Sequence, residues 1–246
     1  MVADRNKSVI LHFMRVIDLN ADLGEGGTED AALLGLVSSA NIACGGHAGT
    51  EETMRESLQR ASAAGVAIGA HPGYEDPEYF GRRAMTLSLE KVTDLVVRQV
   101  TKLVTLAAEH GTKIQHVKPH GALYHQAGRD PLLAAAVVEG IIRISPEFIL
   151  YAQPGSELDK VARSAGLTVC PEGFADRRYR DDGSLMPRGE PGAVIKEVDA
   201  AVAQAMEITA AGKVETLCLQ GDGVTAVAIL KVLRTRLSEA GFMLKR

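Results

Sequence analysis

HVKPHGALYH at residues 116–125 and GAHPGYEDPEYFGRR at 69–83 each leave an apolar or small-residue run and break into histidines, a lysine, paired arginines and glycines. Such breaks belong at the carboxyl ends of strands, where an α/β protein displays its chemistry. DLNADLGEG at 18–26 and ANIACGGHAG at 40–49 have the same form. Four of them in the first half of the chain read as one recurring unit.

Outward from these breaks, short β-rich runs at 15–20, 38–43, 66–70, 113–118, 148–152, 167–171 and 215–220 alternate with helical patterns. The helices are expected at 29–37, 51–64, 89–110, 131–143, 155–165, 192–211 and 223–240. Leu89, Val92, Val96, Leu103 and Leu106 recur at helical spacing behind Ser88, and Thr28 and Thr50 each precede two acidic residues suited to a helix N-terminus. Strict alternation without a hairpin signal predicts a parallel sheet, closed or doubly wound. The scatter of polar strand ends favours a barrel, which gathers them at one mouth. Residues 15–246 are read as a single β/α-barrel domain. Residues 1–14 are read as an extension or a mis-assigned start, because Met14 directly precedes RVIDLN. MVADRNKSVILHF is too short for a membrane span and lacks a small-residue cleavage site.

Apolar residues make up 46% of the 246, charged residues 24%, and the net charge is −4, which gives no electrostatic reason for a nucleic-acid or anionic-membrane partner. Cys44, Cys170 and Cys218 are an odd number, far apart and set in apolar runs. They are expected as buried, reduced thiols of a cytoplasmic protein.

The strand ends supply Asp18, Asn20, Asp22 and Glu25, then His47, His71, and Lys118 with His120. Carboxylates and imidazoles together activate water directly or hold a metal that does so, and a lysine beside them stabilises an oxyanion. Asp22 with His47, His71 or His120 would make an Asp/His metal set; the favoured reading is metal-free, with Asp22 paired to Lys118, a histidine or a backbone amide. Loss of Lys118 or His120 is expected to lower turnover by roughly a hundredfold with stability nearly unchanged. Arg82, Arg83, Arg177 and Arg178 suit a carboxylate or phosphate, or surface pairing with neighbouring acids. No GxxxxGK[ST] or GxGxxG loop is present, so nucleotide phosphates have no recognisable cradle.

DLNADLGEG, SANIACGGHAG, GAHPGY followed by FGRR, HVKPHGALY and EGFADRRY, in that order across nearly the whole chain, resemble the LamB/YcsF family. Its members are the A component of the ATP-dependent 5-oxoprolinase. The resemblance implies a seven-stranded β/α barrel of the glycoside hydrolase/deacetylase type. It also implies that the chain works with partner subunits B and C, opening the lactam of 5-oxo-L-proline to L-glutamate while ATP becomes ADP and phosphate. Asp22, His47, His71, Lys118 and His120 are then the expected catalytic set. Asn20, Glu25, the four arginines and Asp222 are the expected substrate contacts. The chain departs from the family at Gln220, where a histidine usually precedes Gly-Asp. Two other readings are a stand-alone metal-dependent deacetylase or amidohydrolase and a non-catalytic partner-binding protein.

Overall fold

The nine-residue strand β1 (Arg15–Leu23) closes the sheet on itself. One edge pairs in parallel with β2 (Ser39–Ala43), from Asn20↔Ser39 to Leu23↔Ile42, and the other with β7 (Thr216–Leu219), from Asp18↔Thr216 to Ala21↔Leu219. Between them run β3 (Ala67–His71), β4 (His116–Val117), β5 (Ile149–Ala152) and β6 (Thr168–Phe174), each parallel to its neighbours. The result is the closed seven-stranded parallel barrel, with helices outside, that the sequence predicts. The computed structural model describes residues 15–220 and 225–245. The extension read at 1–14 and the expected site residue Asp222 lie outside them.

The helices are α1 (Asp30–Leu34), α2 (Glu51–Ala63), α3 (Leu89–Glu109), α4 (Gly121–Ala127), α5 (Pro131–Ile144), α6 (Glu157–Ser164), α7 (Val198–Ala210) and α8 (Thr225–Glu239). Thr50 caps α2 through a reciprocal exchange with Thr53, and the Ser88 hydroxyl accepts from the Lys91 N–H at 3.4 Å at the start of α3. Thr28 does not cap: α1 begins after Glu29 without a side-chain cap, and the Asp30 carboxylate instead accepts the Gly24 N–H at 2.9 Å. Two elements fall outside the sequence expectation. Helix α4 starts directly after His120, and β8 (Phe242–Leu244) pairs with Arg15–Ile17 beside the barrel.

Strand alternation sorts β1 into two faces. Ile17, Leu19, Ala21 and Leu23 join the apolar layer shared with the helices. Asp18, Asn20 and Asp22 face the opposite way, into a barrel interior that is polar. Asp18 accepts from Ser39 at 2.7 Å, Thr216 at 2.5 Å and Tyr151 at 3.4 Å, and burial still raises its pKa. One layer up, the Asn20 amide donates to Thr216 at 2.7 Å and Glu172 at 3.1 Å, and the Asn41 amide donates to Asn20 at 2.8 Å and Asp22 at 2.9 Å. His116 reaches the Asn41 carbonyl oxygen at 2.8 Å, and its ring stacks on Tyr151 at 4.1 Å. These bonds satisfy groups that would each cost about 1–3 kcal/mol if buried alone.

Gly69 is opposite His116 in the β3–β4 register, and a methyl group there would overlap the imidazole. Asn41 and Tyr151 hold that ring in place. Gly69→Ala is expected to destabilise the fold by roughly 1–3 kcal/mol through overpacking. An unchanged urea midpoint would show that the ring has room to move.

Candidate active site

Four consecutive strands deliver one side chain each to a common point: Glu25 after β1, His47 after β2, His71 at the end of β3 and His120 after β4. Their ligating atoms all lie within 4.8 Å of one another. Glu25 Oε1 is 2.9 Å from His47 Nε2, 3.3 Å from His120 Nδ1 and 3.7 Å from His71 Nε2. Glycines make the packing possible, since a Cβ at Gly73 would come within 2.8 Å of His47 Nδ1 and one at Gly81 within 2.6 Å of His47 Cβ.

Backbone carbonyls set the tautomers. His71 Nδ1 donates to the Lys118 carbonyl at 2.7 Å, and His120 Nε2 donates to the Phe80 carbonyl at 2.9 Å. Phe80 has φ of 56°, the one positive value outside glycine among the described residues. With those protons assigned, His71 Nε2 and His120 Nδ1 face each other across 3.0 Å, and both would carry lone pairs in neutral rings. A cation must lie between them. Burial disfavours a charged His71, but Asp22 at 3.5 Å and Glu25 raise its pKa, so a proton serves there in the metal-free chain. Burial holds His47 down at about 4 and also lowers His120.

The same set fits a divalent metal. Bonds of about 2.1 Å in a tetrahedral arrangement place donor atoms roughly 3.4 Å apart, the scale of the separations above. Three imidazoles and a carboxylate suit zinc or another first-row ion. The carbonyl-bound nitrogens of His71 and His120 supply the outer hydrogen bonds that orient metal-binding histidines. The carboxylate of this set is Glu25, where the sequence reading placed Asp22.

Asp22 instead joins the cluster to a buried lysine. Lys118 Nζ lies 3.0 Å from Asp22, 2.9 Å from Glu172, 3.2 Å from the Asn20 carbonyl oxygen and 3.0 Å from Cys218 Sγ. Burial alone would neutralise it, but Asp22, Cys218 and Glu172 hold its pKa well above the ordinary lysine value. Burial likewise opposes ionisation of Asp22, yet His71 and Lys118 keep its carboxyl well below the usual range. Glu172 goes the other way: burial raises its pKa despite Lys118. Because Lys118 sits between two buried carboxyls, its removal would cost about 3–5 kcal/mol. This corrects the expectation of unchanged stability.

Asp22, His71, Lys118 and His120 open onto a cavity of about 600 Å³, whose other walls include Arg82, Tyr124, Arg129, Phe174, Arg177, Arg188 and Gln220. Of the expected substrate contacts, Arg82 and Arg177 line it. Arg83 does not: it bonds Asp76 at 3.0 Å and lies over the Tyr79 ring. Arg178 is exposed and donates to the Gly192 carbonyl. Asn20 is beneath the cavity, supporting Lys118, and Glu25 sits among the histidines. Glu172 and Cys218 were not singled out by sequence. Glu172 opens the EGFADRRY run, but the predicted strand stops at 171, and Cys218 reads as one more buried thiol.

Asp176, behind the cavity wall, accepts the Gln220 N–H at 3.2 Å through Oδ2, while its buried Oδ1 has no hydrogen-bond partner. Burial pushes its pKa up to about 6 although Gln220, Arg188 and Arg177 all favour the anion. A raised folded pKa contributes stability that is full below the unfolded value near 4 and is lost as pH rises through 6. The stability difference between Asp176→Asn and wild type should therefore shift by about 2 kcal/mol in the variant's favour from pH 4 to pH 7. Urea midpoints that run parallel over that range would contradict it.

Comparison with known proteins places this arrangement. The crystal structure of a lactam utilization protein from Thermus thermophilus superposes with a TM-score of 0.86 at 37% identity, over 94% of this chain and 99% of that one. The catalytic domain of a peptidoglycan N-acetylglucosamine deacetylase from Eubacterium rectale superposes with a TM-score of 0.54 at 8% identity, over 94% of this chain and 87% of that one. A polysaccharide deacetylase from Bacillus cereus gives 0.51 at 16% identity, over 93% and 89%. At these identities the last two share the fold alone. The LamB/YcsF family profile matches residues 17–246, and with the close likeness to the Thermus protein it establishes that the chain belongs to the LamB/YcsF family.

Proposed function

We propose that the chain hydrolyses the amide bond of a lactam, as the A component of an ATP-dependent 5-oxoprolinase that opens 5-oxo-L-proline to L-glutamate. The observation that carries this reading is the placing of the Lys118–Asp22 pair beside the Glu25–histidine cluster at the inner end of one cavity. Family membership and the lactam utilization protein support the substrate class.

A five-membered lactam needs its carbonyl oxygen stabilised, a water deprotonated and its nitrogen protonated. Lys118, held charged, donates to the carbonyl oxygen and stays beside it once that oxygen carries the phosphoryl group. Asp22, ionised and facing the cavity, accepts the water proton and returns it to the ring nitrogen. Its proton affinity rises as the Lys118 ammonium, held in place, also donates to the substrate oxygen. A divalent metal held by Glu25, His47, His71 and His120 would supply Lewis acidity at this point. ATP is assigned to the complex: partner subunits B and C would phosphorylate the lactam oxygen, since this chain has no recognisable phosphate loop. Water then adds to that carbon, the C–N bond breaks as the ring nitrogen is protonated, and a second water releases phosphate from the acyl phosphate. The three buried free thiols fit a cytoplasmic setting.

A stand-alone metal-dependent amidohydrolase is the second reading, favoured by the Glu/His set. The two separate by reconstitution. The isolated chain should leave 5-oxoproline intact, with or without ATP, and turnover should appear when subunits B and C are added. Turnover of 5-oxoproline by the chain alone would refute the first reading, and hydrolysis of N-acetylated substrates by the chain alone would establish the second.

Glu25→Gln keeps the shape of the cluster and removes its anion. Elemental analysis should find one divalent ion per wild-type chain and none in the variant, whose turnover in the complex should fall by roughly a hundredfold or more. A metal-free wild-type chain that supports full turnover would overturn the metal assignment.

A further inference from the structure

Nε of Arg177 and Oε1 of Gln220, both in residues that line the cavity, are buried without a hydrogen-bond partner. Arg177 is only 2% exposed. Its Nη2 donates to the Met186 carbonyl at 2.6 Å, and among the described residues no carboxylate lies within ion-pair distance of it. Arg188, which also lines the cavity, adds like charge, and burial together with Arg188 lowers the Arg177 pKa. A buried guanidinium with a vacant donor calls for an anionic acceptor. Gln220 lines the same cavity, and its backbone N–H is bonded to Asp176, the residue before Arg177. The unused Gln220 carbonyl oxygen calls for a donor.

We propose that Arg177 and Gln220 form a subsite for an α-amido carboxylate, Arg177 taking the carboxylate and Gln220 the adjacent N–H. This rests on the reading of the cavity as an amide-hydrolysing site. In such a ligand one carbon carries both the carboxylate and the nitrogen, so a neighbouring donor and acceptor read both groups at once. The amide carbonyl, on the far side of the nitrogen, is then directed toward Lys118. The subsite rejects a neutral lactam because Arg177 would stay desolvated and unpaired. It also gives the glutamine at position 220 a role that needs no proton transfer.

Isothermal titration of the full chain with L-5-oxoproline, 2-pyrrolidinone and N-acetylglycine tests this. L-5-oxoproline should bind about ten- to hundredfold more tightly than 2-pyrrolidinone, the worth of hydrogen bonding to a charged group. Arg177→Gln should erase that difference and leave the weak binding of 2-pyrrolidinone unchanged. Gln220→Met, on a half-buried side chain, should weaken both lactams several-fold and stays informative if the Arg177 variant does not fold. Equal binding of both lactams to wild type would overturn the subsite, as would failure of every carboxylate ligand to bind. Binding of N-acetylglycine alone, lost in Arg177→Gln, would uphold the subsite while removing the lactam reading.

Discussion

A charged lysine sealed inside a barrel governs the rest of this structure. Desolvating an ammonium costs several kcal/mol unless anions and acceptors surround it. Here β1 supplies Asp22 and Asn20, β6 supplies Glu172 and β7 supplies Cys218, so three strands converge on the Lys118 head group from β4's end. The polar lower layers follow from that choice. Asn20 can accept from Lys118 only if its amide is held elsewhere, and Glu172 and Thr216 hold it. Barrel interiors are ordinarily filled with branched apolar side chains, and this one gives up that packing to keep one positive charge in a fixed place.

The second constraint is the crowding of imidazoles. His47 and His120 stack with centroids 3.6 Å apart, and His71 meets both edge-on. Two backbone carbonyls remove the freedom to relieve lone-pair repulsion by switching tautomer. The cluster is therefore organised around positive charge whether a proton or a metal provides it. Asp22 lies between this cluster and Lys118, within 3.5 Å of His71 and 3.0 Å of Lys118, so a change of charge on either side is felt by the same carboxylate.

Much of this was legible in the sequence because it depends on local pattern. Period-two alternation in IDLNADL separates Asp18, Asn20 and Asp22 from Ile17 and Leu19, and that separation holds in the barrel. Helix α4 was missed because His120 and Gly121 read as a loop, whereas Gly121, at φ of 50°, turns the chain directly into a helix. Strand β8 is three residues long, too short for alternation to register. The exchange of roles between Asp22 and Glu25 has a different cause. Both are carboxylates within four residues, and only the turn at Gly24, with φ of 73°, decides which one swings toward the histidines. Glu172 and Cys218 were invisible for a related reason: each acquires its meaning from Lys118, far away along the chain.

The two walls of the cavity make opposite demands on whatever enters. The inner wall presents Asp22, His71, His120 and Lys118, backed by Glu25, His47 and Glu172, in one network of paired acids and bases. The outer wall carries Arg82, Arg129, Arg177 and Arg188, and among the described residues Arg177 has no carboxylate within ion-pair distance. An anion is thus drawn to the outer wall, while the inner wall gains only from charge that appears during reaction. A ligand with its fixed charge at one end and its reactive carbonyl at the other satisfies both. Its binding energy is then spent on orientation at a distance from the bond that breaks.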